Sequence, residues 1–453
     1  GRKLSIYSDQ SNMSSLAQQV KEAGVVGCGG AGFPTHVKVG AKAEYVIANG
    51  AECEPLLRVD QQLMIARAAE VIMGLELLTE AVGATHPIIA LKEKYQGAID
   101  ALRTEIARRH SRVELFLLGG YYPAGDEQVL VYDVTGRLVP EGGIPMDVGV
   151  VVDNVGTLIN IYQASRSIPV THRFLTITGE VKNPVTLSVP VGAFVEDIIA
   201  VAGGTTVDEY EILDGGPIMG AFTSGYVSKK TTGLIVLPKE HKQVLYKQRT
   251  IEIDIKRASW ACDQCRACTD MCPRYLLGHR IEPHIIMRMV GQQRADAIPP
   301  DDLAGAYLCC QCGLCGMFAC PTTISPDKVI AALLDEMKNK DVQKTLLRDN
   351  FEAHPIREGR KIPVSRIARR IDVLRYDNDA PLQSEPLSVT RVRIALHQNV
   401  GVPCQPEVKV SDRVEEGMVI GSPPDDALGA PIHASIGGVV EQIFEDSIFI
   451  RAR

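Results

Sequence analysis

Two short runs of cysteine constrain this chain more than any other feature. Residues 261–273 read ACDQCRACTDMCP, and residues 306–321 read AYLCCQCGLCGMFACP. Cys262, Cys265, Cys268 and Cys272 follow C-x2-C-x2-C-x3-C, with Pro273 next. Cys309, Cys312, Cys315 and Cys320 repeat the pattern before Pro321, but the last gap is four residues instead of three. Three thiolates two residues apart wrap one corner of a [4Fe–4S] cubane, and the fourth, placed before proline, is carried to a second cluster. The expected pairing is therefore crossed. One cluster takes Cys262, Cys265, Cys268 and Cys320, and the other takes Cys309, Cys312, Cys315 and Cys272. Cys310 does not keep the two-residue gap to Cys312 and reads as a spare, small apolar side chain, as does Cys404. Zinc would call for pairs of cysteines joined by a longer loop.

The chain has 453 residues, enough for about three domains. Twelve cysteines, mostly gathered in two windows of a large chain, argue for reduced, metal-ligating thiols and not for a disulfide scaffold. A cytoplasmic protein is expected. No apolar run reaches the roughly 18–20 residues of a membrane span, and no basic-then-apolar leader is read. The net charge of −7, without a long basic block, argues against nucleic acid as a partner. Paired clusters move single electrons, so the rest of the chain is expected to hold an electron source.

The segment GVVGCGGAGFPTHVK (24–38) places Gly27, Gly29 and Gly32 in a G-x-G-x-x-G pattern. Glycines let backbone amides approach a phosphate, and Lys38 adds a counter-charge. The loop follows a helical stretch, 14–24, and not a strand, which speaks against a Rossmann fold at this point. Beyond it the chain alternates. Strands are expected over 45–49, 87–92 and 113–118, and helices over 60–81 and 94–109. That alternation predicts a mostly parallel sheet with ligands beyond its carboxyl edge. Three loops there carry chemistry: NGAECEP (49–55), YYPAGDEQ (121–128) and DNVGTL (153–158).

These loops resemble those of the flavin-binding subunit of NADH:quinone oxidoreductase, complex I. The resemblance implies FMN contacts at Gly27, Gly29, Lys38, Asn49, Glu52, Gly125, Asp126, Asn154 and Thr157, with Gly32 completing the glycine pattern. It implies NADH contacts at Phe33, Glu54 and Glu127. Ala51 stands where that family has an acid, Cys53 where it has serine, and Cys28 where it has arginine. Residues 170–238 look like a soluble-ligand-binding β-grasp domain, and 393–444 like a barrel-sandwich, lipoyl-like segment. Two clusters after a β-grasp domain are similar to the RnfC component of the Rnf electron-transfer complex, although there the sandwich comes first. The order found here resembles the cobalamin reductases of propanediol-utilisation bacterial microcompartments.

The expected fold is α/β and multidomain. It comprises a complex I flavin-subunit-like α/β domain for FMN and NADH (1–168), a β-grasp domain (169–245) and a ferredoxin-like double [4Fe–4S] domain (246–345). A helical, charge-rich linker (346–390) and a barrel-sandwich segment (391–453) follow. The resemblance implies an oxidoreductase passing electrons from NADH through FMN and two clusters to cobalamin, for reactivation of a B12-dependent diol dehydratase. No side chain is assigned as a general acid, base or nucleophile. An adenosyltransferase and a microcompartment shell protein are the implied partners. Two alternatives stand: an electron-transfer subunit of an Rnf-type membrane complex, and a cluster-bearing scaffold without flavin. His36, His397 and His433 are read as hydrogen-bonding or surface residues, not as cobalt ligands.

Overall fold

The computed structural model describes residues 15–291, 304–339, 348 and 350–453. Residues 1–14, assigned above to the first domain, and 340–347, in the charged stretch, lie outside the described residues. The first unit is a parallel sheet in the order β3-β2-β1-β5, made of Glu114–Leu118, His86–Lys92, Tyr45–Gly50 and Val150–Asn154. Its central strands are almost wholly buried because helices cover both faces. Val46 and Ala48 of β1 face the helices α3 (Val59–Ala66), α4 (Ala68–Ala81), α5 (Gln96–Arg109) and α7 (Val155–Ala164). Ile47, one residue out of phase, faces Leu130 and Val131 of α6 (Glu127–Thr135). All four strands point the same way, so their carboxyl ends share one edge.

The helix expected over 60–81 is broken. Arg67 leaves helical geometry at φ −129° and ψ 31°. Its side chain lies over Phe174 of the next domain, 5.5 Å from the ring centroid, and pairs with Glu70. Beyond the break α4 crosses α7 at Gly74, where an added Cβ would lie 2.0 Å from the Leu158 carbonyl oxygen. Glycine to alanine inside a helix ordinarily stabilises by up to about 1 kcal/mol. Here the sign reverses: Gly74→Ala is expected to cost about 1–3 kcal/mol through overpacking. Chemical denaturation checks this, and a stabilised variant would refute the close crossing.

The second unit is a five-stranded mixed sheet, β7-β6-β10-β8-β9, in which β8 is Tyr210–Asp214 and β9 is Ala221–Phe222, with α8 (Val195–Val201) packed across it. Strand β6 (His172–Gly179) pairs parallel with β10 (Gly233–Pro238) and antiparallel with β7 (Val185–Pro190). This is the expected β-grasp arrangement. Helices α9 (Lys242–Gln248), α10 (Ile251–Ala261) and α13 (Pro283–Gly291), with the helix Pro326–Asn339, carry the two cysteine runs. At the end of the chain, one small sheet of Arg391–Ala395, Ser447–Arg451, Gly438–Ile443 and Arg413–Val414 and another of Gln405–Pro406, Val419–Ser422 and Ile432–His433 enclose a core of Val392, Ile394, Ile420, Val440 and Ile450.

The segment read as a charged helical linker is different. Its described part holds one α-helix, Val364–Arg370, and the short strand Ile362–Pro363, which pairs with Tyr121–Tyr122 of the first unit. Ile362, Ile367, Ile371, Val373 and Tyr376 are buried against Leu56, Tyr122, Ile235 and Cys312. Isoleucines four residues apart form the inward stripe, and arginines take the outer face. The segment stitches three units together.

Candidate active site

The glycine loop lies between α1 (Ser15–Glu22) and α2 (Thr35–Val39), before the first strand, as its flanking residues imply. It is held from behind at four points. The Gly27 amide donates to the Phe33 carbonyl at 2.9 Å. The Cys28 amide donates to Thr157 Oγ1 at 2.9 Å, and Arg173 Nη2 donates to the Cys28 carbonyl at 2.6 Å. The Val400 amide, from the C-terminal sandwich, donates to the Gly32 carbonyl at 2.9 Å. The front of the loop stays open. The amides of Gly29, Gly30, Ala31 and Gly32 donate to no described residue, and a Cβ on Gly30 would meet nothing within 4 Å. Four free amides on a glycine turn form an anion cradle.

Beside the cradle opens a cleft of about 190 Å3. Of the residues expected to hold FMN or NADH, it is lined by Gly29, Asn49, Glu52, Glu54, Gly125, Asp126 and Asn154. They come together because the loops after β1, β3 and β5 share the sheet's carboxyl edge. Their bonding sorts their roles. Asn49 Nδ2 donates to the Gly125 carbonyl at 2.9 Å, closing two loops on each other. Gly125 is packed so tightly that a Cβ would lie 3.1 Å from Cys53 Sγ. Asp126 Oδ1 caps α6 by accepting from the Gln128 and Val129 amides. Asn154 caps α7 through Oδ1 and donates from Nδ2 to Asp60 at 2.9 Å.

The other expected residues stand around this cleft. Gly27, Gly32 and Phe33 belong to the cradle's frame, and Thr157 is buried behind it. Lys38 Nζ donates to the Val152 carbonyl at 2.6 Å and to Glu127 at 3.2 Å. Burial opposes its charge, but Asp153 and Glu127 more than offset this and hold its pKa above the ordinary lysine value. Glu54, expected at NADH, accepts from the amides of Ile218 and Met219 of the β-grasp turn at 2.9 and 2.7 Å. Burial pushes Asp60 up to about 6. Burial, with Asp60 beside it, raises Glu52 well above the carboxylate range. A carboxyl kept protonated in this way can donate a hydrogen bond to a bound ring or sugar edge.

The far wall of the cleft is the second cysteine run. Cys310 and Cys312 line it directly, and the Tyr122 hydroxyl donates to the Cys312 carbonyl at 2.7 Å. Cys310, read as a spare apolar side chain, instead faces the cleft. Hydrogen bonds from Cys312 and Arg274 hold its thiol below the ordinary value. Arg274, two residues after Cys272, is buried and donates to Asp126 Oδ2 at 2.8 Å. Arg274, Asp60, Cys310 and Arg173 carry no motif of their own, and sequence reasoning missed them.

Cys262, Cys265, Cys268 and Cys320 line one small cavity, the grouping expected from crossed pairing. Cys272 packs against Cys309, and an ionised Cys272 would raise the thiols of Cys309, Cys312 and Cys315, which places it near all three. The two runs repeat in detail. Gln264 and Gln311 have φ of 59° and 55°, and Arg266 and Gly313 have φ of 67° and 69°. In each run the glutamine amide donates to the first thiol. The extra residue of the second run is absorbed in a π turn, Cys315–Ala319, closed by the Cys320 amide on the Cys315 carbonyl at 3.1 Å. A π turn holds one residue more than an α turn, so Cys320 still reaches its partners. Burial pushes Cys268 and Cys272 up to about 12, so iron binding would displace their protons. Among the described residues, no three His, Cys, Asp or Glu side chains form a site for a single metal ion.

The cradle's free amides fit a flavin phosphate, and the paired cysteine sets fit two cubanes. This fold and cleft define a flavin- and iron–sulfur-dependent oxidoreductase. Residues 20–163 match the Nuo51 FMN-binding domain, 174–222 the SLBB domain, 261–325 the 4Fe-4S dicluster domain and 375–451 the RnfC barrel sandwich hybrid domain. The chain is 40% identical over 442 residues to cobalamin reductase PduS of Citrobacter freundii, covering 96% of both chains. It is 41% identical over 441 residues to cobalamin reductase PduS of Salmonella typhimurium, again covering 96% of both. It is 37% identical over 271 residues to the C component of the Na(+)-translocating ferredoxin:NAD(+) oxidoreductase complex of Acetobacterium woodii, covering 58% of each. The chain belongs to the cobalamin reductase PduS family. Among the described residues no helix is long and apolar enough to cross a membrane.

Proposed function

We propose that the chain carries electrons from NADH, through FMN at the glycine cradle, to cobalamin. The order of transfer would be the cluster of Cys272, Cys309, Cys312 and Cys315, then that of Cys262, Cys265, Cys268 and Cys320. One observation carries this reading: the cleft beside the cradle and the second cysteine run share a wall, at Cys310 and Cys312. When bound, FMN would supply the switch between two-electron and one-electron chemistry. The chain's own part is to orient and to insulate. Amides of the cradle would hold the phosphate, Glu52 and Asp60 would meet the polar edge of the cofactor, and Arg274 ties the flavin loop to the cluster loop through Asp126. The work is proposed to serve reactivation of a B12-dependent diol dehydratase in a propanediol-utilisation microcompartment, with an adenosyltransferase and a shell protein as partners.

The test is anaerobic reconstitution with iron, sulfide and FMN, followed by NADH and hydroxocobalamin. Cob(II)alamin should appear at a rate that needs both NADH and FMN. Rapid bleaching of flavin and clusters with cobalamin unchanged would overturn cobalamin as the direct acceptor. That outcome would favour transfer to a protein, the reading that the similarity to the Acetobacterium woodii complex supports.

A further inference from the structure

Helix α10 has an inward apolar face and an outward face that mixes apolar and cationic side chains. Ile251, Ile255, Ala258 and Ala261 pack inward beside Cys262 and Cys320. Ile253, Lys256, Arg257 and Trp260, at i, i+3, i+4 and i+7, form a second face that no described element covers. Trp260 is the chain's one tryptophan, is 81% exposed, and stands two residues before Cys262. Ile253 is 47% exposed, and Leu245 on the neighbouring α9 is 50% exposed. Exposed apolar groups gathered beside a functional centre mark an interaction site.

Between α9, α10 and the helix Val364–Arg370 runs a groove of about 490 Å3. Lys242, Leu245, Ile253, Arg257, Met317 and Arg370 line it. Met317 lies in the π turn between Cys315 and Cys320, and Arg370 donates to the Cys320 carbonyl at 3.3 Å. The groove therefore opens on the loop that serves both clusters. The other large groove, about 560 Å3 beside Arg67 and His172, has no residue of either cysteine run in its wall, whereas Gly316 and Met317 of the second run line this one.

The charge of the face is as specific as its position. Lys242 and Arg370 hydrogen-bond only to backbone carbonyls, and Arg257 donates to Thr323 Oγ1. Lys256 lies over the Trp260 ring at 5.6 Å. Among the described residues none of these four cations is paired with a carboxylate. Of the two acids on α10, Asp254 is buried and neutralised by Arg249 and Lys328, and Glu252 sits at the flank. The chain as a whole carries −7. The net negative charge of the chain opposes an acidic protein and this patch attracts it, which orients it on approach. Exposed Trp and Arg are also the side chains that anchor protein interfaces.

We propose that this face docks an acidic protein that takes single electrons from the cluster held by Cys262, Cys265, Cys268 and Cys320. One electron leaves the reduced cluster and lowers the partner's centre by one unit, with no bond made or broken. The proposal rests on the cluster assignment and not on cobalamin as final acceptor. A failure to reduce cobalamin would leave it standing.

The holoenzyme is driven with NADH, with flavodoxin as an acidic one-electron probe and cytochrome c as a basic one. Wild type is compared with the double variant Lys242→Glu/Arg257→Glu and with Trp260→Ala, and bleaching of flavin and clusters reports internal transfer. Flavodoxin reduction should slow with added salt and fall at least about tenfold in the charge-reversed variant. Internal bleaching should be unchanged, and cytochrome c reduction unchanged or faster. The proposal fails if charge reversal leaves flavodoxin reduction untouched, or if wild type does not reduce flavodoxin at any salt. It also fails if sedimentation shows a dimer that Trp260→Ala dissolves, because the face would then belong to a second copy of the chain.

Discussion

Cys320→Ser and Cys272→Ser will have opposite effects from those their positions in the sequence suggest. Crossed pairing places Cys320 with Cys262, Cys265 and Cys268, the group that lines one cavity. Cys272 belongs with Cys309, Cys312 and Cys315. Each variant should lose roughly half the cluster iron, since a cubane needs all four thiolates. The remaining cluster decides the outcome. In Cys320→Ser it is the one at the wall of the flavin cleft, so NADH still reduces it quickly. In Cys272→Ser it is the distant one, and NADH should reduce flavin while that cluster stays oxidised. Reduction of every downstream acceptor should stop in both variants. Cys262→Ser should match Cys320→Ser by electron paramagnetic resonance, and Cys309→Ser should match Cys272→Ser. If Cys320→Ser instead behaves like Cys309→Ser, the pairing within runs is sequential and the order of transfer given above is wrong.

The dicluster domain and the grouping of its cysteines were legible because cluster chemistry is written in local spacing. The irregular last gap is taken up by one π turn, which absorbs one residue. The loops at the sheet's carboxyl edge were legible for a related reason. Alternation of strands and helices fixes which ends meet, so Asn49, Asp126 and Asn154 could be placed at one edge from the sequence. What the sequence hid is everything that depends on distant chain. The glycine loop is held by Arg173 and by Val400, far along the chain in other units. Glu54 answers to a turn of the β-grasp domain, and no local pattern announces that. Residues 362–376 carry enough arginine to look solvated, yet their isoleucines supply part of a shared core. Cys310 looked redundant because only spacing was visible, and its place in the cleft wall comes from the packing of one unit on another.

Arg274→Ala should separate flavin from cluster without harming either binding motif. Arg274 follows Cys272-Pro273 and is buried between the flavin domain and the cysteine runs. Its guanidinium meets Asp126 Oδ2 at 2.8 Å, while Asp126 Oδ1 caps α6. Alanine leaves that carboxylate buried beside the cleft with no counter-charge. Removing one partner of a buried pair costs about 3–5 kcal/mol, far more than deleting both. The double variant Arg274→Ala/Asp126→Asn should therefore be more stable than Arg274→Ala alone, because asparagine keeps the oxygen that caps α6 and drops the stranded charge. Arg274→Lys should fall between, since an ammonium restores charge but not the planar fork. The kinetic consequence follows from position. Flavin reduction by NADH should stay near the wild-type rate, and electron arrival at the clusters should slow by about tenfold or more, as the cleft wall loses its tie to the flavin loop. Denaturant unfolding and stopped-flow bleaching measure the two effects separately. Equal stability of Arg274→Ala and wild type would mean that the pair is not buried in solution. Unchanged cluster reduction in a destabilised Arg274→Ala would mean that electrons leave the cleft by a route other than the wall formed by Cys310 and Cys312.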